Sequence, residues 1–260
     1  MLDEVMIKGL HVEFLRRRDL HAEHEPHVLF QASTVGALLD GAYEGDATFG
    51  ELAEHGDLGL GTLNGLDGEM IALDGRFFRA DHDGAIHEIE ASARTPFAVV
   101  DWFRPTVEFE LTGAMGHDGL LAELERHAPA GAVALTLRVD GTFDLVKARS
   151  VPKQEPPYRP LSDVVADQHV FELTHVEGSL VGFRFPDYSQ GIEITGYHWH
   201  FITISRDRGG HVLECRPRQG RVRLDPSADL HVELPAGVDI AAPDLSEATR
   251  AALARVERAE

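Results

Sequence analysis

The pattern His198-x-His200, with His211 following after a turn, can bring three imidazoles to one cation. In an extended strand, side chains at i and i+2 point the same way. His198 and His200 therefore share one face, and Tyr197, Trp199 and Phe201 form an apolar opposite face. Neutral imidazole is a common ligand of zinc and its first-row neighbours. Three protein ligands leave coordination positions open for a substrate, as catalytic rather than structural sites do. His211 imposes a register condition. A tight loop over residues 207–210 would set it opposite Arg206, roughly 20 Å along the strand from His200 at about 3.3 Å per residue. The first strand must therefore end near Thr203 or carry a bulge. The cupin pattern also begins with H-x-H but needs a Glu about four residues on; here Phe201, Ile202, Thr203 and Ile204 stand there, so that reading fails. Cys215 alternates onto the His211 face but lies roughly 13 Å further along a strand, which makes it a buried structural thiol rather than a ligand.

These residues need strands to hold them. GYHWHFITIS and HVLECRP read as two strands around a turn containing Asp207, Gly209 and Gly210. Upstream, Gly59 to Asp81 reads as a β-meander punctuated by Asn64-Gly65, Asp67-Gly68 and Asp74-Gly75. Hairpins are expected around Asp140-Gly141 and Glu177-Gly178. Short helices are expected after Ser33 or Thr34, after the capping box Thr48/Glu51, over Asp118–His127, and in LSDVVADQ. The C-terminal stretch DLSEATRAALARVERAE reads as a helix. Ordered structure is expected from about Val28. The class is α+β, with strand-rich mixed or antiparallel sheets in two packed lobes and few helices. VPKQEPPYRP, with four prolines, marks the boundary, giving an N-terminal β-rich lobe over 28–150 and a C-terminal β-rich metal-binding lobe over 151–260 that ends in a helix.

Composition narrows the partners. The 260 residues carry a formal charge of −20, which disfavours nucleic acid and anionic membrane surfaces. An anionic small substrate would need local positive charge from a metal or an arginine. One cysteine excludes an internal disulfide, no apolar run reaches membrane-spanning length, and the charged N-terminal residues lack the order of a secretory signal; the expectation is a cytoplasmic protein.

GALLDGAYEGD at 36–46, HGDLGLGTLNGLDGEMI at 55–71, ARSVPKQEPPY at 148–158, and GYHWHFI with GGHVLE at 196–214 together resemble the acetolactate decarboxylase family, over nearly the whole chain from about residue 28. The resemblance implies conversion of 2-acetolactate to (R)-acetoin and carbon dioxide at a divalent metal, zinc first, on His198, His200 and His211. It implies site roles for Glu69 in GEM, Arg149 before VPKQ, Thr62 in GLGT near the substrate, and a C-terminal glutamate, best matched by Glu257 with Glu260 close by. A homodimer is compatible with it. Read without the resemblance, Arg149 is a surface arginine at a strand end, and Glu69 and Glu257 are solvated acids. Alternatives are another metal-dependent lyase or hydrolase acting on a hydroxy-keto acid, and a non-catalytic metal-binding module.

The residue types suit the chemistry. Loss of carbon dioxide from a β-keto acid leaves an electron pair that a polarised ketone can accept. Arg149 suits capture and orientation of the carboxylate, because binding it too tightly would stabilise the ground state more than the transition state. A carboxylic acid of raised pKa suits the later protonation of carbon, and Glu69 is the first choice, with Glu257 assisting at the substrate hydroxyl.

Overall fold

The computed structural model describes residues 11–16 and 27–234. The C-terminal helix expectation, Glu257 and Glu260 lie outside the described residues. Two large sheets carry the fold. The first has eight strands in the order β1 (His11–Arg16), β15 (Asp229–Leu234), β2 (Val28–Ala32), β9 (Ala98–Asp101), β4 (Leu58–Thr62), β5 (Glu69–Leu73), β6 (Arg76–Ala80) and β7 (Ile86–Glu88). The second has five, in the order β10 (Val107–Thr112), β14 (Gly209–Ser227), β11 (Ala134–Ser150), β12 (His169–Phe185) and β13 (Gly196–Thr203). A small ribbon pairs β3 (Ala47–Thr48) with β8 (Arg94–Thr95). The sheets are mostly antiparallel, with parallel pairing only where β15 meets β1 and β2 among the described ladders. The α+β, strand-rich class is the one expected.

The sheets face each other across an apolar layer in which Leu58, Ile71 and Phe78 of the first meet Val181 and Ile202 of the second. Asp101 is buried in this layer, and Thr136 Oγ1 donates to its Oδ2 across the sheets at 2.6 Å. Burial lifts the Asp101 carboxyl to about 7, with nearby Asp225 and Asp57 adding and the Thr136 bond opposing. On the outer face of the second sheet, Trp199, Phe201 and Val222 pack against Leu120 and Leu124 of α3 (His117–His127). The outer face of the first is covered by Phe49 and Leu52 of α2 (Phe49–Leu52), which starts with the reciprocal Thr48/Glu51 capping box. Helices α1 (Val35–Leu39) and α4 (Leu161–Val165) form a separate cluster with Phe97, Val151 and Ile194. Thr34, one of the two expected caps, accepts from Ala37 N at the start of α1.

Several local expectations are corrected. Asp140-Gly141 and Glu177-Gly178 are not turns: β11 and β12 each run unbroken for 17 residues. Gly141 pairs with Gly178 on one side and Gly220 on the other, a row of glycines across three strands. A Cβ at Gly141 would lie 2.2 Å from Gln219 O, so the glycines admit close backbone approach within the sheet. Order begins earlier than Val28, since residues 11–16 pair in parallel with β15.

The chain also changes sheet between β9 and β10, and β15 returns to the first, so the sheets do not divide at 150/151. The proline-rich segment is bound rather than loose: Gln154 N donates to Gly65 O at 2.6 Å, and Lys153 Nζ lies 3.2 Å from Asp67 Oδ2. Prolines there mark missing ladder donors, not a weak connection. Among the described residues no helix is long and apolar enough to cross a membrane.

Candidate active site

Strand β13 ends at Thr203, as the register condition required. The Thr203 hydroxyl donates to Asp207 Oδ1 at 2.7 Å, and Thr203 N donates to Arg208 O at 2.9 Å, closing a turn that sends the chain back early. His200 and His211 thereby become direct cross-strand partners. Arg149 is the partner of His211 on its other side, so β13, β14 and β11 set His200, His211 and Arg149 in one row. His198 and His200 turn towards the first sheet while Trp199 and Phe201 face α3. All three histidines are buried, and their ligand atoms lie within 4.8 Å of one another. His198 Nε2 is 3.2 Å from His211 Nδ1.

The first sheet completes the site through β5. His200 Nδ1 is 2.7 Å from the Met70 carbonyl oxygen. A carbonyl only accepts, so the proton resides on Nδ1 and the lone pair on Nε2. That Nε2 is buried with no hydrogen-bond partner among the described residues. An orphaned buried acceptor is costly, and a cation satisfies it. Burial holds His198 well below its ordinary value, with His200 and Arg149 acting the same way. Burial also takes His200 down to about 3 against the opposing Met70 bond. Neutral, converging imidazoles with a carbonyl-fixed tautomer are a donor set suited to zinc or a similar ion.

Glu69, next to Met70, extends Oε1 to within 3.0 Å of Arg149 Nη1 and Oε2 to within 3.5 Å of His200 Nε2. Both Glu69 and Arg149 are buried, unlike the solvated residues that their strand-end positions alone suggest. Burial raises the Glu69 carboxyl above its ordinary value, with the Arg149 charge partly offsetting it. Thr62 pairs with Glu69 across β4 and β5, and its hydroxyl donates to Gly68 O at 2.8 Å. The three histidines, Glu69, Arg149 and Thr62 line one pocket.

Sequence reading missed the apolar wall of this pocket, formed by Val35 and Leu38 of α1, Leu161 of α4, Phe97 and Ile194. The i, i+3 spacing of Val35 and Leu38 signals a buried helix face but not what it faces. The Met70 carbonyl could not have been found from residue type at all. Cys215 is displaced from the site. A bulge at Leu213, between the pairs Ala148–Val212 and Lys147–Glu214, reverses the alternation, so Cys215 joins the outer core beside α3 rather than the His211 face. It is a buried thiol pushed up to about 12, mainly by burial.

The family model described as alpha-acetolactate decarboxylase matches residues 29–247. The chain belongs to the alpha-acetolactate decarboxylase family. It is 47% identical over 212 residues to an alpha-acetolactate decarboxylase of Methylococcus capsulatus, covering 82% of each chain. It is 41% identical over 219 residues to that of Klebsiella aerogenes, covering 84% of each. The crystal structure of alpha-acetolactate decarboxylase from Bacillus subtilis strain 168 superposes with a TM-score of 0.83 at 33% identity, over 89% of this chain and 99% of that one. Membership of the alpha-acetolactate decarboxylase family makes the chain a carboxy-lyase. The family motifs also touch one another: GLGTLNGLDGEM meets VPKQ through the Gly65–Gln154 and Asp67–Lys153 contacts, beside the histidine strands.

Proposed function

We propose that this chain decarboxylates 2-acetolactate to (R)-acetoin and carbon dioxide, using a divalent ion, zinc first, held by His198, His200 and His211. The observation that carries the metal requirement is the buried Nε2 of His200, which makes no hydrogen bond and stands beside the other two imidazoles and the Glu69 carboxyl. When bound, such an ion supplies Lewis acidity next to the substrate ketone.

The chain's own residues account for the remaining work. Arg149 captures the substrate carboxylate and orients it; a guanidinium has five donors, enough to hold Glu69 and a carboxylate together. The carbon–carboxylate bond breaks, carbon dioxide leaves, and the electron pair moves to the ketone oxygen, giving an enediolate whose C=O re-forms when the carbon is protonated. Glu69, kept protonated more readily by burial, delivers its proton to the carbon that lost carbon dioxide. Thr62 lines the pocket, where its oxygen can contact the substrate. The wall of Val35, Leu38, Phe97 and Ile194 surrounds the methyl groups and limits water at the enediolate. A glutamate in the C-terminal sequence, Glu257 or Glu260, is proposed to assist at the substrate hydroxyl.

The test is acetoin formation from racemic acetolactate by purified protein, with elemental analysis before and after chelation. Acetoin that appears only with metal present, as one enantiomer by chiral chromatography, is expected. Full activity in metal-stripped protein would defeat the reading. A non-catalytic metal module is disfavoured by the pocket beside the histidines, because a purely structural site closes with a fourth protein ligand.

A further inference from the structure

Away from the pocket, His82, Asp83 and His169 bring a second set of ligand atoms within 4.8 Å of one another, all on exposed residues. His82 and Asp83 sit in the turn between β6 and β7, whereas His169 opens β12 in the other sheet. The turn is built rather than loose. Asp81 Oδ1 accepts from Asp83 N at 3.1 Å and from Ala85 N at 2.9 Å, and Asp81 Oδ2 lies 2.9 Å from His87 Nε2. Gly84 has φ +79°, and a Cβ there would lie 2.4 Å from the Phe171 ring, so the turn is seated against β12. Its far side is tied to the strand that carries His211, since Gly209 N donates to Gly84 O at 2.9 Å and Ala85 bridges Arg208.

His169 Nδ1 is 3.2 Å from the His82 carbonyl oxygen and 3.4 Å from Asp83 Oδ1, and the two imidazole rings are 5.2 Å apart. We propose that His82, Asp83 and His169 form a second, surface site for a divalent transition ion. Two imidazoles and one carboxylate select zinc, nickel or copper over magnesium and calcium, which prefer all-oxygen sites. An ion held there links the β6–β7 turn of the first sheet to β12 of the second, a cross-sheet tie independent of the inner histidines.

The experiment uses tag-free full-length protein, equilibrated with zinc, dialysed, and analysed for metal. Wild type is compared with His82→Ala and His169→Ala, and each of these with His198→Ala added. Either outer variant should hold one zinc fewer than wild type, whether or not the inner histidines are filled, and His198→Ala should subtract its ion separately. Zinc beyond the inner site should raise the Tm of wild type and not that of the outer variants, while acetoin formation by the metal-loaded outer variants stays at the wild-type rate. Equal zinc content in wild type and either outer variant would overturn the site. A zinc-dependent rise in Tm that is the same in all three would overturn the cross-sheet tie.

Discussion

Met70 and His200 are joined across the two sheets by a 2.7 Å hydrogen bond from the imidazole Nδ1 to the main-chain carbonyl, which turns the other ring nitrogen towards His198 and His211. The ring orientation is thus decided by a strand that carries none of the histidines. Replacing His200 with alanine removes both the ligand and the tautomer lock. Metal content by elemental analysis should fall sharply in His200→Ala, and acetoin formation with it. Chelation of wild type should abolish activity, and added zinc should restore it.

Glu69→Gln separates metal holding from proton delivery. The amide keeps a similar shape beside Arg149 but has no acidic proton to give. Turnover should drop by about 10²-fold or more with normal metal content, the usual scale for loss of a positioned general acid. Near-normal turnover in a metal-loaded Glu69→Gln protein would remove Glu69 from that role.

Arg149→Lys keeps one positive charge but loses the planar fork. A charged hydrogen bond is worth roughly 1.5–3 kcal/mol, so kcat/KM should fall about 10- to 100-fold. The loss should appear mainly in KM if the guanidinium serves capture, and steady-state kinetics on acetolactate will show the split.

Much of this site was legible beforehand. The alternation around His198 and His200 depends only on strand geometry, and the Thr48/Glu51 box only on neighbouring residues. The misread positions are those where a local signal competes with the sheet. Asp140-Gly141 and Glu177-Gly178 have turn chemistry, yet the glycine beside each strand neighbour needs the same absence of a side chain for a different reason. The face of Cys215 was lost to a one-residue bulge, which leaves no mark in residue type. The burial of Glu69 and Arg149 comes from sheet-on-sheet contact, which no single strand encodes.

Gly141→Val tests the glycine row. Added atoms would press on the Gln219 backbone, so thermal unfolding should show destabilisation of about 1–3 kcal/mol.

Asp101 gives a prediction about pH. Its folded carboxyl sits at about 7 against an ordinary 3.8, so the folded state holds this proton more tightly than the unfolded chain. Its contribution to stability is therefore fully present below about 3.8 and is lost as pH rises through about 7. Asp101→Asn keeps an acceptor for Thr136 and does not titrate. The Tm of the variant relative to wild type should climb between those limits and then level off; a flat difference would contradict the assignment.

The inner site takes its imidazoles from one sheet and its carboxylate and orienting carbonyl from the other. Neither sheet alone can offer a finished cradle to an ion. During folding, tight metal capture should therefore coincide with docking of the sheets, so that the time course of zinc uptake marks the last stage of assembly rather than the formation of the histidine strands.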